Sequence, residues 1–156
     1  MKEITLTKHE MELAAIVGIK RRAESRASHR TDNKLLNTEK QGYWDVDIDG
    51  AAAEMAYCKS RNEYWSASIG TFKDADHGKK TQIRHTSYDN GKLIIRDDDK
   101  DDHFFVLVTG LSPNFKIHGW MLGSEGKKEE YLFAPNGKTP AYFIPQDKLN
   151  KFKEKP

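Results

Sequence analysis

Cysteine is nearly absent: Cys58 alone excludes an internal disulfide and a multi-cysteine zinc site, and suits a reducing compartment. No stretch approaches the roughly 20 apolar residues that span a bilayer. Met1-Lys2-Glu3-Ile4 lacks the apolar run of a signal peptide, so the expectation is a cytoplasmic protein that makes no use of a membrane. The histidines at 9, 29, 77, 85, 103 and 118 form no HExxH pair, which leaves zinc catalysis without a motif. No internal repeat, heptad or second-domain linker is present. Nor does one sign of charge dominate: 26 basic residues stand against 24 acidic ones, net +2. Any nucleic-acid surface must therefore come from local clustering.

What is present supports one folded domain over residues 1–156. The 156 residues are enough for a core, and 37% hydrophobic against 32% charged residues leaves a very polar surface around it. Residues 28–41 read as a mobile polar loop and 153–156 as a frayed tail.

Thr7 with Glu10 forms a capping-box pattern ahead of apolar residues at helical spacing, Met11, Leu13, Ala14 and Val17. The following Lys20-Arg21-Arg22 suits a helix C-terminus or a phosphate. Residues 43–48 alternate weakly and lead into an alanine-rich helix, Gly50-Ala51-Ala52-Ala53-Glu54, that should run to about Arg61. Strand-like runs follow at 64–69 with Phe72, then at 81–85, 93–96, 104–109 and 115–121, with Asn90-Gly91 as a hairpin turn. Residues 104–108 are apolar without alternation, as in a central strand covered on both faces. Residues 141–145 read as an edge strand and 147–152 as a short helix. The expectation is an α/β (α+β) domain whose mixed sheet of about five strands is flanked by helices.

Three features can hold a divalent metal beside a phosphodiester: a helical acid, Glu54; an acid in a turn, Asp76, with Asp74 as its rival; and the strand triplet Gln82-Ile83-Arg84. Magnesium takes hard oxygens from one or two carboxylates and leaves positions for water and phosphate. Taken singly, a helical Glu is usually solvated and an Asp next to Gly usually makes a turn. Lys79 and Lys80 adjoin this group, while Arg61 and Lys59 lie near Tyr43, Trp44, Tyr64 and Trp65; both pairs are candidates for nucleic-acid binding. The run 97–102 lacks the Gly and terminal Glu of an EF-hand loop and reads as a solvated turn. Cys58 and His118 read as core residues.

In its order of elements, residues 50–119 resemble the PD-(D/E)xK nucleases, the restriction-endonuclease-like superfamily, in which a helical Glu precedes a strand-start Asp and a (D/E)xK triplet. The chain is also similar to short phage and environmental proteins that carry GAxxE, DxG, QVR, LIxR and HGW segments. Here these are Gly50-Ala51-Ala52-Ala53-Glu54, Asp76-His77-Gly78, Gln82-Ile83-Arg84, Leu93-Ile94-Ile95-Arg96 and His118-Gly119-Trp120. Ala75 replaces the Pro of the superfamily name, and Gln82 and Arg84 replace its acid and Lys.

The resemblance implies a magnesium- or manganese-dependent nuclease acting on DNA, encoded by a phage or mobile element. Asp76, Glu54, Gln82 and the Ile83 carbonyl would hold the metal, and Arg84 would bind the scissile phosphate. Water activation would fall to the metal, His77 or His85. The competing expectation is a catalytically inactive module of this fold that binds nucleic acid or a host protein, for instance as an inhibitor of a host enzyme.

Overall fold

The Thr7–Glu10 pattern forms a reciprocal cap. Glu10 N–H donates to Thr7 Oγ1 at 3.2 Å, and Thr7 N–H donates to Glu10 Oε2 at 2.6 Å. In the computed structural model, which describes residues 1–27, 44–70, 75–135 and 139–152, this cap starts helix α1 (Lys8–Ala27). The helix runs past Lys20-Arg21-Arg22 rather than ending there. The expected loop at 28–41, the expected strand residue Phe72, the rival acid Asp74, the turn residues Asn136 and Gly137, and the tail at 153–156 lie outside the described residues.

Helix α2 (Trp44–Arg61) begins earlier than the sequence pattern suggests, and takes in residues 44–48 of the weakly alternating stretch. Asp45 and Asp47 occupy its first turn, where acids stabilise a helix N-terminus. Ala51 to Cys58 are all buried between α1 and the sheet. The two helices cross so closely at Gly18 that a Cβ there would lie 2.5 Å from Ile48 Cα. Because the obstacle is backbone, Gly18→Ala is expected to destabilise the fold by about 1–3 kcal/mol, measured as a lower midpoint in urea unfolding.

Asn62 closes α2 in the left-handed conformation at φ 56°, with Glu63 N–H donating back to Cys58 O at 3.0 Å. The segment beyond it is not the expected strand. Ala67 sits at φ 51°, which breaks extended backbone.

Two sheets replace the single sheet of about five strands. The first is mixed, in the order β1-β5-β4-β2. Its strands are β1 (Lys2–Thr5), β2 (Thr81–Thr86), β4 (Phe104–Leu111) and β5 (Asn114–Leu122), with β2 parallel to β4 and the other pairs antiparallel. The second is antiparallel, in the order β3-β7-β6, from β3 (Leu93–Ile95), β6 (Leu132–Phe133) and β7 (Ala141–Ile144). Asn90-Gly91 does lie at a turn, with Gly91 N–H donating to Tyr88 O at 2.9 Å. It makes no hairpin, because β3 leaves for the second sheet. β7 is that sheet's central strand, not an edge, and a single 3-10 turn (Gln146–Lys148) stands where a short helix is expected.

β4 is central and covered on both sides, as its unbroken apolar run requires. Val106 and Val108 face α2, while Phe105 and Leu107 face a second cluster with Leu93, Ile95, Met121, Ile144 and Leu149. Both long helices therefore cover one face of the first sheet, and the second sheet helps to cover the other. The acidic run at 97–102 is organised rather than simply solvated. Lys127 Nζ donates to Asp97 O at 2.9 Å, Asp99 O at 2.6 Å and Asp101 Oδ1 at 2.7 Å, using all three ammonium protons. Among the described residues no helix is long and apolar enough to cross a membrane.

Candidate functional site

Asp76 reaches the strand triplet through a tight reversal. His77 and Thr81 exchange backbone hydrogen bonds at 3.1 and 3.2 Å, and Gly78 takes φ 59° within the turn between them. This lays Asp76 along the open edge of β2, where its Oδ2 accepts the Ile83 N–H at 2.6 Å. In extended backbone the N–H and C=O of one residue point to the same side, so the Ile83 carbonyl also faces that edge.

Glu54 projects from the buried middle of α2 and is 7% exposed. Arg21 clamps it from α1, Nη1 to Oε1 at 2.6 Å and Nη2 to Oε2 at 2.8 Å, and Trp65 Nε1 donates to Oε2 at 3.3 Å. Arg21 Nε donates to Ser68 O at 2.9 Å, which fixes the guanidinium plane. Burial lowers the Arg21 pKa, but the hydrogen bonds and charge of Glu54, with Asp76 and Asp47 beyond, outweigh it and raise the pKa.

Asp76 carries the strongest perturbation of the group. Its pKa is raised to about 7 by burial first and by the Glu54 charge second; the Ile83 N–H, Arg84 and Arg21 offset only part of this. Two carboxylates have been brought close, and the cations around them leave Asp76 under-compensated.

Side-chain alternation divides the triplet. Ile83 points into the helix-side core, so Gln82 and Arg84 leave on the opposite face. Arg84 lies over the Phe105 ring, 5.1 Å from its centroid, and pairs with Asp99 through Nη2 at 2.7 Å. Asp76, Ile83 and Glu54 thus meet on the α2 side of the sheet edge. Arg84 remains near enough to lower the Asp76 pKa, and Gln82 sits on the Arg84 face.

Asp76 and the Ile83 carbonyl are the oxygens that could hold a hard divalent ion here, whereas Arg21 takes both oxygens of Glu54. Magnesium accepts so few protein ligands and fills the rest with water. Among the described residues no three His, Cys, Asp or Glu side chains gather tightly enough to hold a metal by themselves.

Of the expected phosphate contacts, Lys79 and Lys80 are exposed on the turn beside Asp76. Lys80 pairs with Asp102 at 2.7 Å across solvent, a weak tie. Lys59 is engaged elsewhere, with Glu10 at 2.7 Å and the Thr5 carbonyl at 3.0 Å. Arg61 pairs with Glu63 at 3.1 Å and lies over the Tyr57 and Phe152 rings.

Both histidines near the site are committed. His77 places Nδ1 3.4 Å from Cys58 Sγ and Nε2 2.7 Å from Glu63 Oε2, while His85 Nε2 contacts Gly110 O at 2.8 Å. The Cys58–His77–Glu63 row has the order of a nucleophilic triad without its chemistry. Burial, then Glu54 and Glu63, push the thiol up to about 12, so it stays protonated and inert at neutral pH. Its effect is to tie α2 to the segment that carries Asp76. His118, expected in the core, is buried against Thr109 Oγ1 at 2.8 Å.

No protein family, curated protein or solved structure matches this chain.

Proposed function

We propose that the protein is a magnesium-dependent nuclease that hydrolyses phosphodiester bonds of DNA, a small enzyme of the phage or mobile-element kind. On this reading α2 and the first sheet form a restriction-endonuclease-like core. The supporting observation is the contact of Asp76 with the Ile83 N–H beside Glu54, which brings the helical acid and the turn acid to the middle residue of the strand triplet.

Bound there, magnesium or manganese would supply charge neutralisation and a more acidic water. Asp76 and the Ile83 carbonyl would hold the ion, while Arg21 fixes the orientation of Glu54 beside them. Arg84 exchanges Asp99 for a phosphate oxygen, an acceptor its fork suits equally well. Gln82 stands beside Arg84 on the face the phosphate approaches. Lys79 and Lys80 neutralise the flanking backbone, Lys80 giving up only its exposed pair with Asp102.

The Arg21–Glu54 clamp favours a second reading, a module of the same fold that binds nucleic acid or a host protein without cutting, since an internal cation already neutralises one acid. Incubation with labelled single- and double-stranded DNA in magnesium, manganese or EDTA separates the two. The nuclease cuts only with metal; DNA binding that ignores metal, with no cutting, establishes the binding module.

A further inference from the structure

Residues 63–69 belong to no helix or strand, yet three side-chain ties hold them against the site. Glu63 Oε2 meets His77 Nε2, beside Asp76, at 2.7 Å. Trp65 Nε1 donates to Glu54 Oε2 at 3.3 Å, and the Ser68 carbonyl accepts Arg21 Nε at 2.9 Å. Ala67 holds φ 51°, a conformation that L side chains rarely adopt. The course of the segment is therefore imposed by its ties to the site and not by its own backbone preference.

Side chains alternate along this segment. Glu63 and Trp65 turn inward to His77 and Glu54, and Tyr64 between them is 87% exposed, more than any other large hydrophobic side chain among the described residues. Its side chain makes no hydrogen bond or ring contact with any described residue, so the fold draws nothing from this ring. A single exposed aromatic is ordinary on a protein surface, and Tyr88, 72% exposed after β2, is one. Tyr64 differs because both of its chain neighbours grip residues of the site. On a backbone fixed in this way a tyrosine has two side-chain torsions to lose, so contact with a flat partner costs it little entropy.

We propose that Tyr64 is a stacking platform for an unpaired base of the DNA strand held at the Asp76 site, and that the substrate is single-stranded DNA. Stacking on an aromatic ring suits any base, because every base has a π-face. A base inside a duplex has both faces covered by its neighbours and offers none to a tyrosine. Lys79 and Lys80, exposed on the turn beside Asp76, supply charge for the backbone of the same strand. The proposal rests on the nuclease reading for the chemistry at Asp76, and adds the class of DNA that reaches it. Tyr64 positions the strand and takes no part in bond breaking.

The test is fluorescence anisotropy in EDTA of a labelled single-stranded oligonucleotide and of its duplex, over a series of salt concentrations. The proteins compared are the natural one, Tyr64→Ala, Tyr64→Phe and the exposed control Tyr88→Ala. Tyr64→Ala is expected to weaken single-strand binding about tenfold and to leave the salt slope unchanged, since no phosphate contact is lost. Tyr64→Phe should keep the affinity, because the ring is what stacks. A fluorescent purine analogue in the oligonucleotide should be quenched by the natural protein and Tyr64→Phe, and not by Tyr64→Ala. So exposed a side chain should leave the melting temperature where it was.

Single-strand affinity of Tyr64→Ala equal to that of Tyr88→Ala would overturn the platform, even if metal-dependent cutting were intact. No single-strand binding by the natural protein, or an equal loss on the duplex, would overturn it as well. Tyr64-dependent binding of the single strand without any cutting in magnesium or manganese would support the platform and reject the nuclease.

Discussion

Asp76→Asn is expected to abolish metal-dependent cleavage, by about a hundredfold or more, while making the protein more stable above neutral pH. The two effects share one cause. The natural carboxyl, raised from 3.8 to about 7, binds its proton more tightly in the folded chain than in the unfolded one. Between those values the native state holds more protons, so stability falls as pH rises through the window and the full cost is present above it. Asn keeps an oxygen for the Ile83 N–H and carries no charge to repel Glu54.

The expected gain at pH 8 is about 2–4 kcal/mol, roughly 5–10 °C in melting temperature. It should vanish as the pH falls towards 4. Saturating magnesium should stabilise the natural protein and leave the variant unmoved. An Asn variant less stable than the natural protein at pH 8 would mean that Asp76 is a satisfied structural carboxylate.

Glu54→Ala is expected to cost about 3–5 kcal/mol, because it leaves the half-enclosed Arg21 without its bidentate partner. The Trp65 N–H loses its acceptor in the same step. Replacing both partners by leucine should recover most of the loss, since the pair's attraction mainly offsets its own desolvation. Urea denaturation of the two single variants and the double variant gives the coupling directly. Single losses near zero would place the clamp among weak surface pairs.

The Arg21–Glu54 clamp also shows what the sequence made legible. Ala14, Val17, Gly18 and Arg21 follow helical spacing, so Arg21 stands on the stripe α1 buries. An arginine there calls for a buried acid, and Glu54 lies in the buried stretch of α2. Reading Lys20-Arg21-Arg22 as a basic helix end hid that demand; Arg22, more deeply buried than Arg21, pairs with Asp47.

Local signals with a local cause were readable: the Thr7 cap, the alanine-rich helix and the doubly covered β4. Asp45-Val46-Asp47-Ile48 misled because alternating acids also suit the first turns of a helix, where the macrodipole favours them. The Asn90-Gly91 turn was read correctly while its hairpin was not. A turn fixes chain direction locally, but the partner of β3 is β7, set by the burial of Leu93, Ile95 and Ile144 in a distant cluster. The Arg84–Asp99 pair stayed hidden for the same reason, since it joins β2 to the turn that follows β3.

The most direct test of the account is the titration of the Asp76 carboxyl carbon by NMR, with and without magnesium, with Asp76→Asn to assign the signal. The predicted result is a midpoint near 7 in EDTA that magnesium moves downward by more than about one unit, as a bound cation favours the ionised form. A midpoint in the ordinary range near 4, or one that magnesium leaves in place, would contradict the claim that this carboxylate holds the metal.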